Sequence, residues 1–264
     1  MRSRFDRELD TLNVDLQKMS GLVENALENT IAAFKNKNTK LAKEVMENDR
    51  MINDMERSIE SICFKLMLRQ QPVARDLRIV TTALKIVTDL ERIGDQCSDI
   101  CEIILDLSGD HIYRTVEHIP EMLKTAKEMV HKSIEAFVEG DVDKAHNISR
   151  MDDDIDALFL DIKNEIIQIM KENSENADDC LDYFMIAKYL ERIGDHAEDI
   201  LQFAKKLKNY SKKRLNDVID LSAFVIKMIQ DSIKAYIDGD FNLANKVIEK
   251  NDVVDKKYME IIES

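Results

Sequence analysis

Between residues 83 and 104, apolar side chains recur at Ala83, Ile86, Leu90, Ile93, Cys97, Ile100, Cys101 and Ile104. Steps of three and four are the signature of one face of an α-helix. The same phase returns about one hundred residues later at Ile186, Leu190, Ile193, Ala197, Ile200 and Leu201. Earlier in each unit, Ala33-Phe34, Ala136-Phe137 and Ala235-Tyr236 each close another amphipathic stretch. Each is followed by a short break: Lys35 to Asn38, Glu139-Gly140-Asp141 and Asp238-Gly239-Asp240. Asp141 and Asp240 follow a glycine and precede renewed apolar periodicity, which predicts that both cap the next helix. Gln70-Gln71-Pro72-Val73 divides the second helix from the third in the first unit, because proline suits a first helical turn and not an interior. Glu172 to Asp178 makes the same division in the second unit, and Leu107-Ser108-Gly109-Asp110 separates the units.

The predicted order is therefore helix A, helix B, helix C, the same three again, and then A and B alone. Short breaks favour antiparallel neighbours. The expected fold is all-α, with tandem three-helix bundles over residues 1–108 and 109–210 and a half-repeat hairpin over 211–264. In that hairpin Ala223, Ile226, Met228, Ile229 and Ile233 form an apolar face without a C helix to cover it. The face needs a partner, either the second bundle or another subunit, and a homodimer formed through it is expected.

An exact duplication lies inside helix C. Leu90-Glu91-Arg92-Ile93-Gly94-Asp95 recurs as Leu190-Glu191-Arg192-Ile193-Gly194-Asp195, the mark of an internal repeat. Each copy runs on to a third carboxylate, giving Glu91, Asp95, Asp99 and Glu191, Asp195, Asp199. Steps of four place each trio on one narrow stripe. Like charges so spaced weaken an isolated helix by roughly 0.2–0.5 kcal/mol per pair, and a bound cation would offset that repulsion. The bland reading is a solvated acidic face. Gly94 and Gly194 stand between stripe carboxylates in mid-helix, at a cost of about 1 kcal/mol each relative to alanine. Close approach of another backbone or of a ligand is the expected reason.

Helix B supplies a second set of oxygens through Asp49 with Asn53 and Asp152 with Asp156. The hairpin has Asn251 with Asp255 at the same place, and each pair has Ile or Val one residue before its second member. With B and C side by side, Asp49 would face Glu91 and Asp95, while Asp152 and Asp156 would face Glu191 and Asp195. Four or more carboxylates from two helices make a hard oxygen site, suited to iron, manganese, magnesium or calcium and less selectively to zinc.

Other metal chemistry has thin support. Of the histidines His111, His118, His131, His146 and His196, only His196 lies beside a stripe, off its centre, and Gln96 takes its place in the first repeat. Glu128 and His131 have the spacing of a di-iron helix, but the step appears once, which argues against a di-iron oxidase. Cys97 and Cys101 share the apolar phase, so the four cysteines read as small packed side chains. No phosphate loop, nucleophile elbow or zinc-protease motif is present. The expectation is a binding or regulatory protein and not an enzyme.

Charge narrows the partners. The 264 residues carry 52 acidic against 38 basic side chains, a net charge of −14. That excess repels nucleic acid and anionic lipid and favours cations and basic protein surfaces. No apolar run reaches the eighteen or so residues of a membrane span, and the first residues lack a signal-peptide core. A cytoplasmic protein without direct membrane insertion is expected.

The stretch Gln70-Gln71-Pro72-Val73-Ala74-Arg75-Asp76-Leu77-Arg78, followed by Leu84-Lys85-Ile86 and Asp89 to Asp95, resembles the PhoU family of phosphate-uptake regulators. Tyr189 to Ala197 resembles the second signature of that family, and the likeness covers about residues 5–210. The resemblance implies two tandem three-helix bundles and a restraint on the phosphate-starvation response. It also implies contacts with the ATPase subunit of the phosphate ABC transporter and with a sensor histidine kinase. Iron, or else zinc, manganese or magnesium, is implied as mono- or multinuclear clusters on Glu/Asp-x-x-x-Asp motifs. Those motifs fall here on Glu91 with Asp95, Glu191 with Asp195 and Asp152 with Asp156. Asp49 with Asn53 departs from the acidic pattern, so the first-repeat cluster is expected to be less complete. The rival expectation is a metal-dependent enzyme or a metal store on the same carboxylate-rich bundle.

Overall fold

A chain with six glycines and two prolines has few places to stop a helix, and its helices run long. The computed structural model describes residues 2–70, 72, 75–107, 116–139, 148–172, 175, 177–208 and 212–263. The first repeat consists of α1 (Arg2–Asn36), α2 (Thr39–Gln70) and α3 (Arg75–Asp106). The second consists of α4 (Ile119–Glu139), α5 (Ile148–Glu172) and α6 (Ala177–Lys208). After these come α7 (Lys212–Asp238), α8 (Phe241–Glu249) and α9 (Asn251–Glu263). No strand occurs among the described residues.

The A-to-B turns show why the breaks fall where they do. After α1, Lys37 takes a left-handed φ of 51°, and the Asn38 N–H donates to the Ala33 carbonyl at 2.9 Å. After α7, Gly239 takes φ 66°, and the Asp240 N–H donates to the Ala235 carbonyl at 2.9 Å. Both close the helix by a bond five residues back across a left-handed residue. The next helix is then capped by a side chain. Asn38 Oδ1 accepts from the Leu41 N–H at 3.1 Å, and Asp240 Oδ1 accepts from the Asn242 and Leu243 N–H groups at 3.0 Å. Asp240 is thus the expected N-cap. Asp141 lies outside the described residues, as does most of the Leu107-to-Asp110 junction.

The apolar stripes form the core. Leu90, Ile93, Cys97, Ile100 and Cys101 of α3 are buried, as are Leu190, Ile193, Ala197, Ile200 and Leu201 of α6. Fully burying one large aliphatic side chain contributes roughly 1.5–3 kcal/mol. All four cysteines are reduced and buried. Burial pushes the Cys63 thiol up to about 12 and the Cys101 thiol to about 11, and raises that of Cys97. Such thiols stay protonated near neutrality and pack as small apolar side chains.

Residues 1–207 make one compact unit, because the repeats share contacts as well as a sequence. α1 packs on α2, α3 and α4, and Glu28–Lys127 (2.6 Å) and Glu24–His131 (2.7 Å) bridge α1 to α4. Glu128 is paired with Lys132 at 2.6 Å. Helices α3 and α6 meet along a seam. Lys85 lies over the Phe203 ring at 5.0 Å, Asp89 meets His196, and Asp99 accepts a hydrogen bond from Tyr189. Partners climb α6 as they descend α3. The helices are therefore antiparallel, related by an approximate twofold exchange that falls level with Gly94 and Gly194.

Residues 208–264 form the second unit, in which α7 packs on α8 and α9. The expected B helix is broken here at Lys250. Its N–H donates to the Val247 carbonyl three residues back (3.2 Å), and its Nζ lies 3.4 Å from Asp231 on α7. Ile226, Ile229 and Ile233 are 54–56 % exposed, as expected of a hairpin without its C helix. No described helix is long and apolar enough to cross a membrane.

Candidate metal centre

The two carboxylate faces form where the second helix of each repeat lies against the third. What brings them together is the notch at each mid-helix glycine. A Cβ placed on Gly94 would stand 2.9 Å from Ile52 Cδ1, 3.2 Å from Ile52 Cγ2 and 3.6 Å from Asp49 Oδ1. On Gly194 it would stand 2.9 Å from Ile155 Cδ1, 3.4 Å from Ile155 Cγ2 and 3.8 Å from Asp152 Oδ1. The isoleucine that precedes Asn53 or Asp156 fills the notch, and the aspartate one helical turn earlier reaches the acidic stripe. Close helix packing thus explains both glycines.

In the first repeat Asp49 and Glu56 of α2 face Glu91, Asp95 and Asp99 of α3. Burial and the charge of Asp95 raise the Asp49 carboxyl above its ordinary range, against the hydrogen bond from Asn53. That bond, Asn53 Nδ2 to Asp49 Oδ2, is 2.9 Å long. Burial, then Asp95 and Glu56, push Glu91 up to about 7. Burial, then Glu60 and Asp95, raise Glu56. Burial also raises Asp99, where the Tyr189 hydroxyl pulls the other way and Asp95 adds to the rise.

The second repeat repeats the plan with different charges. Asp152 is pushed up to about 6 by burial, then by Glu198, Asp156 and Asp195. Asp195 is raised by burial and then by Glu191. Lys188 Nζ sits 2.5 Å from Glu191 Oε2, whereas the first repeat has Thr88 there, its hydroxyl bonded to the Leu84 carbonyl at 3.1 Å. The second face therefore carries a close lysine counter-charge, while the first has only the longer Arg92–Glu91 approach of 3.7 Å.

Eight of the nine expected residues thus join one of the two faces: Asp49, Glu91, Asp95 and Asp99 in the first, Asp152, Asp156, Glu191 and Asp195 in the second. Asp199 instead meets Asp89 and His196 in the α3–α6 seam. Glu56 and Glu198 belong to the faces and escaped the sequence reading. Glu56 stands seven residues after Asp49, two helical turns along the same face, and that spacing was the available signal. Glu198 has Ser98 as its counterpart, so the repeat comparison hid it.

The donor set fits a hard cation. Asp49 Oδ1 and Asn53 Oδ1 are buried without a hydrogen-bond partner, and an unsatisfied buried acceptor costs roughly 1–3 kcal/mol, more when charged. The grip is wide. Among the described residues, only Asp89, His196 and Asp199 bring three ligand atoms within 4.8 Å of one another. The wide-set oxygens of the two faces suit an ion that keeps part of its water shell, or several ions sharing bridging oxygens.

Fold and site together define a class: a duplicated three-helix bundle whose second and third helices close over paired carboxylates. The family described as PhoU domain matches residues 16–104, 119–204 and 218–264, and the chain belongs to the PhoU family. The third match supports the half-repeat reading of the hairpin. A phosphate-specific transport system accessory protein PhoU homolog from Clostridium acetobutylicum is 35% identical over 217 residues, 82% of this chain and 99% of the relative. The phosphate-specific transport system accessory protein PhoU of Escherichia coli K12 is 32% identical over 200 residues, 76% of this chain and 83% of the relative. Among solved structures, PhoU from Pseudomonas aeruginosa superposes with a TM-score of 0.76 at 31% identity, covering 78% of this chain and all of that one. The phosphate transport system regulatory protein PhoU from Streptococcus pneumoniae gives 0.72 at 28% identity, covering 78% and 98%.

Proposed function

We propose that this protein is an accessory regulator of phosphate uptake, a cytoplasmic adaptor whose carboxylate faces hold metal cations. Membership of the PhoU family supports the regulatory role, since the relatives carry the names of accessory and regulatory proteins of phosphate transport. The observation that carries the metal reading is the orphaned Asp49 Oδ1, buried against the Gly94 notch beside a stripe where burial, and then Asp95 and Glu56, push Glu91 up to about 7. Asp49, Glu56, Glu91, Asp95 and Asp99 would hold the cation of the first face. Asp152, Asp156, Glu191, Asp195 and Glu198 would hold that of the second. Iron is the first choice, with zinc, manganese and magnesium as alternatives of the same hard-donor class. A di- or trivalent cation would turn a field that repels phosphate into one that attracts it.

The partners follow from charge and family. The acidic surface would dock basic patches on the ATPase subunit of the phosphate transporter and on a sensor histidine kinase, where charge complementarity mainly sets specificity and association rate. The exposed face of α7 would pair two chains into a homodimer.

The test is elemental analysis of protein purified without chelator or nickel resin, beside Glu91→Gln/Asp95→Asn/Glu191→Gln/Asp195→Asn. Iron, manganese or zinc bound by the wild type and lost from the variant is the expected result. Capture of the transporter ATPase subunit by the wild type, weakened in the variant, tests the adaptor role. Metal-free wild type refutes the metal reading and leaves the capture assay to decide the regulatory one.

A further inference from the structure

The seam between α3 and α6 holds a second donor set, different in chemistry from the carboxylate faces. His196 Nδ1 lies 3.0 Å from Asp89 Oδ1, and Asp199 brings a carboxylate oxygen so that all three ligand atoms fall within 4.8 Å of one another. The side chains of His196 and Asp89 are 25 % and 13 % exposed, while Asp199 stands at the solvent-exposed edge of the set. We propose that Asp89, His196 and Asp199 form a zinc-class divalent-cation site that joins the two repeats.

Geometry and donor type agree. Zinc bonds to imidazole nitrogen and carboxylate oxygen at about 2.0–2.2 Å in a tetrahedron, which sets ligand atoms roughly 3.3 Å apart. The Asp89–His196 separation is already close to that value. Three protein ligands with water in the fourth position is a common zinc arrangement. An imidazole shifts preference away from magnesium and calcium, which the all-oxygen faces favour, toward borderline metals.

The twofold relation between the repeats supplies a comparison within the same molecule. At the matching seam position Tyr189 replaces Asp89, Gln96 replaces His196 and Asp99 matches Asp199. There the Tyr189 hydroxyl donates to Asp99, one donor to one acid. On the His196 side two acids converge on one imidazole, whose Nδ1 has a single hydrogen to give. The Asp199 carboxylate reaches the same point from the exposed rim of the seam, and a divalent ion there would engage all three groups, as one hydrogen bond does not. The ion would tie α3 to α6 and so fasten one repeat to the other.

The test is zinc binding measured by competition with a chromophoric chelator, on the full chain with Zn2+ alone. His196→Gln is the chosen variant because glutamine already occupies the matching seam position at residue 96. The wild type should bind one more zinc per chain than His196→Gln, or bind it at least about tenfold more tightly, the loss that even an outer partner of a ligand brings. The Glu91→Gln/Asp95→Asn/Glu191→Gln/Asp195→Asn variant should keep this one zinc, which separates the seam from the carboxylate faces. Equal zinc stoichiometry and affinity in wild type and His196→Gln overturns the proposal. So does loss of all tight zinc from a four-site variant whose circular dichroism stays helical. Should that variant fail to fold, Asp89→Asn in the wild-type background decides in the same way.

Discussion

Ile52 and Gly94 are fitted to each other: the isoleucine Cδ1 stands 2.9 Å from the place a Cβ on the glycine would occupy. Ile155 and Gly194 repeat the fit, with the isoleucine Cγ2 at 3.4 Å where Ile52 has 3.2 Å. A Cδ1 atom swings aside by rotation, but Cγ2 is fixed close to the backbone. Alanine gains about 1 kcal/mol in helix propensity, while overpacking a filled core costs roughly 1–3 kcal/mol. Gly94→Ala should therefore destabilise by about 1 kcal/mol and Gly194→Ala should be near neutral, as read by urea denaturation. Equal effects at the two sites would contradict the contact argument.

The raised acids make the metal-free protein sensitive to base. Glu91 and Asp152 titrate at about 7 and about 6 in the fold, against 4.5 and 3.8 for the free side chains. A raised acid contributes stability that is complete below the unfolded value and is lost as pH rises through the folded one. The thermal midpoint of chelator-treated protein should therefore fall between pH 4.5 and 8. Glu91→Gln should flatten that fall and raise stability at pH 8 by something on the order of 1 kcal/mol, once solvent screening is allowed for. A pH-independent midpoint in the wild type would mean that the face does not concentrate charge.

Lys37 offers the reverse experiment. It holds a left-handed φ of 51° where the same turn after α7 uses Gly239 at 66°. The left-handed region costs a residue with a Cβ roughly 1–2 kcal/mol, and glycine returns part of that gain as extra unfolded-state entropy. Lys37→Gly should stabilise by about 0.5–1 kcal/mol, measured by chemical denaturation.

The α7 face predicts an oligomeric difference. Light scattering after size exclusion should give a dimer for the full chain and a monomer for residues 1–210. Ile229→Asp/Ile233→Asp, at positions 54 % and 55 % exposed, should act like the truncation. An unchanged dimer in both would remove the hairpin from the subunit contact.

The sequence made the helical order legible because each B-to-C and A-to-B break carried its own chemistry: proline at residue 72, glycine at 239, capping aspartate at 240. Periodicity in steps of three and four located the core of α3 and α6 residue by residue. The break at Lys250 was not legible, since neither glycine nor proline marks it. The same limit governed the candidate site. Asp49 and the stripe acids lay on faces that helical phase alone could assign. Asp89 gave no signal, because its neighbours on α3 are those of an ordinary surface acid, and its meeting with His196 exists only when two helices one hundred residues apart cross. The phase of His196 on α6 places it beside the stripe acids Asp195 and Asp199, and nothing in that phase points to Asp89 on α3.

The exchange relation between α3 and α6 also bears on how the molecule is read by others. Were the two bundles separate identical chains, every substitution in the seam would appear twice, and a visiting protein would meet the same surface from either direction. Fusion into one chain lets each half change alone. Asp89 where the other repeat has Tyr189, Gln96 where it has His196 and Thr88 where it has Lys188 are such unshared changes. They leave one end of the seam built on an imidazole and the other on a phenol, a difference that two identical chains could not hold.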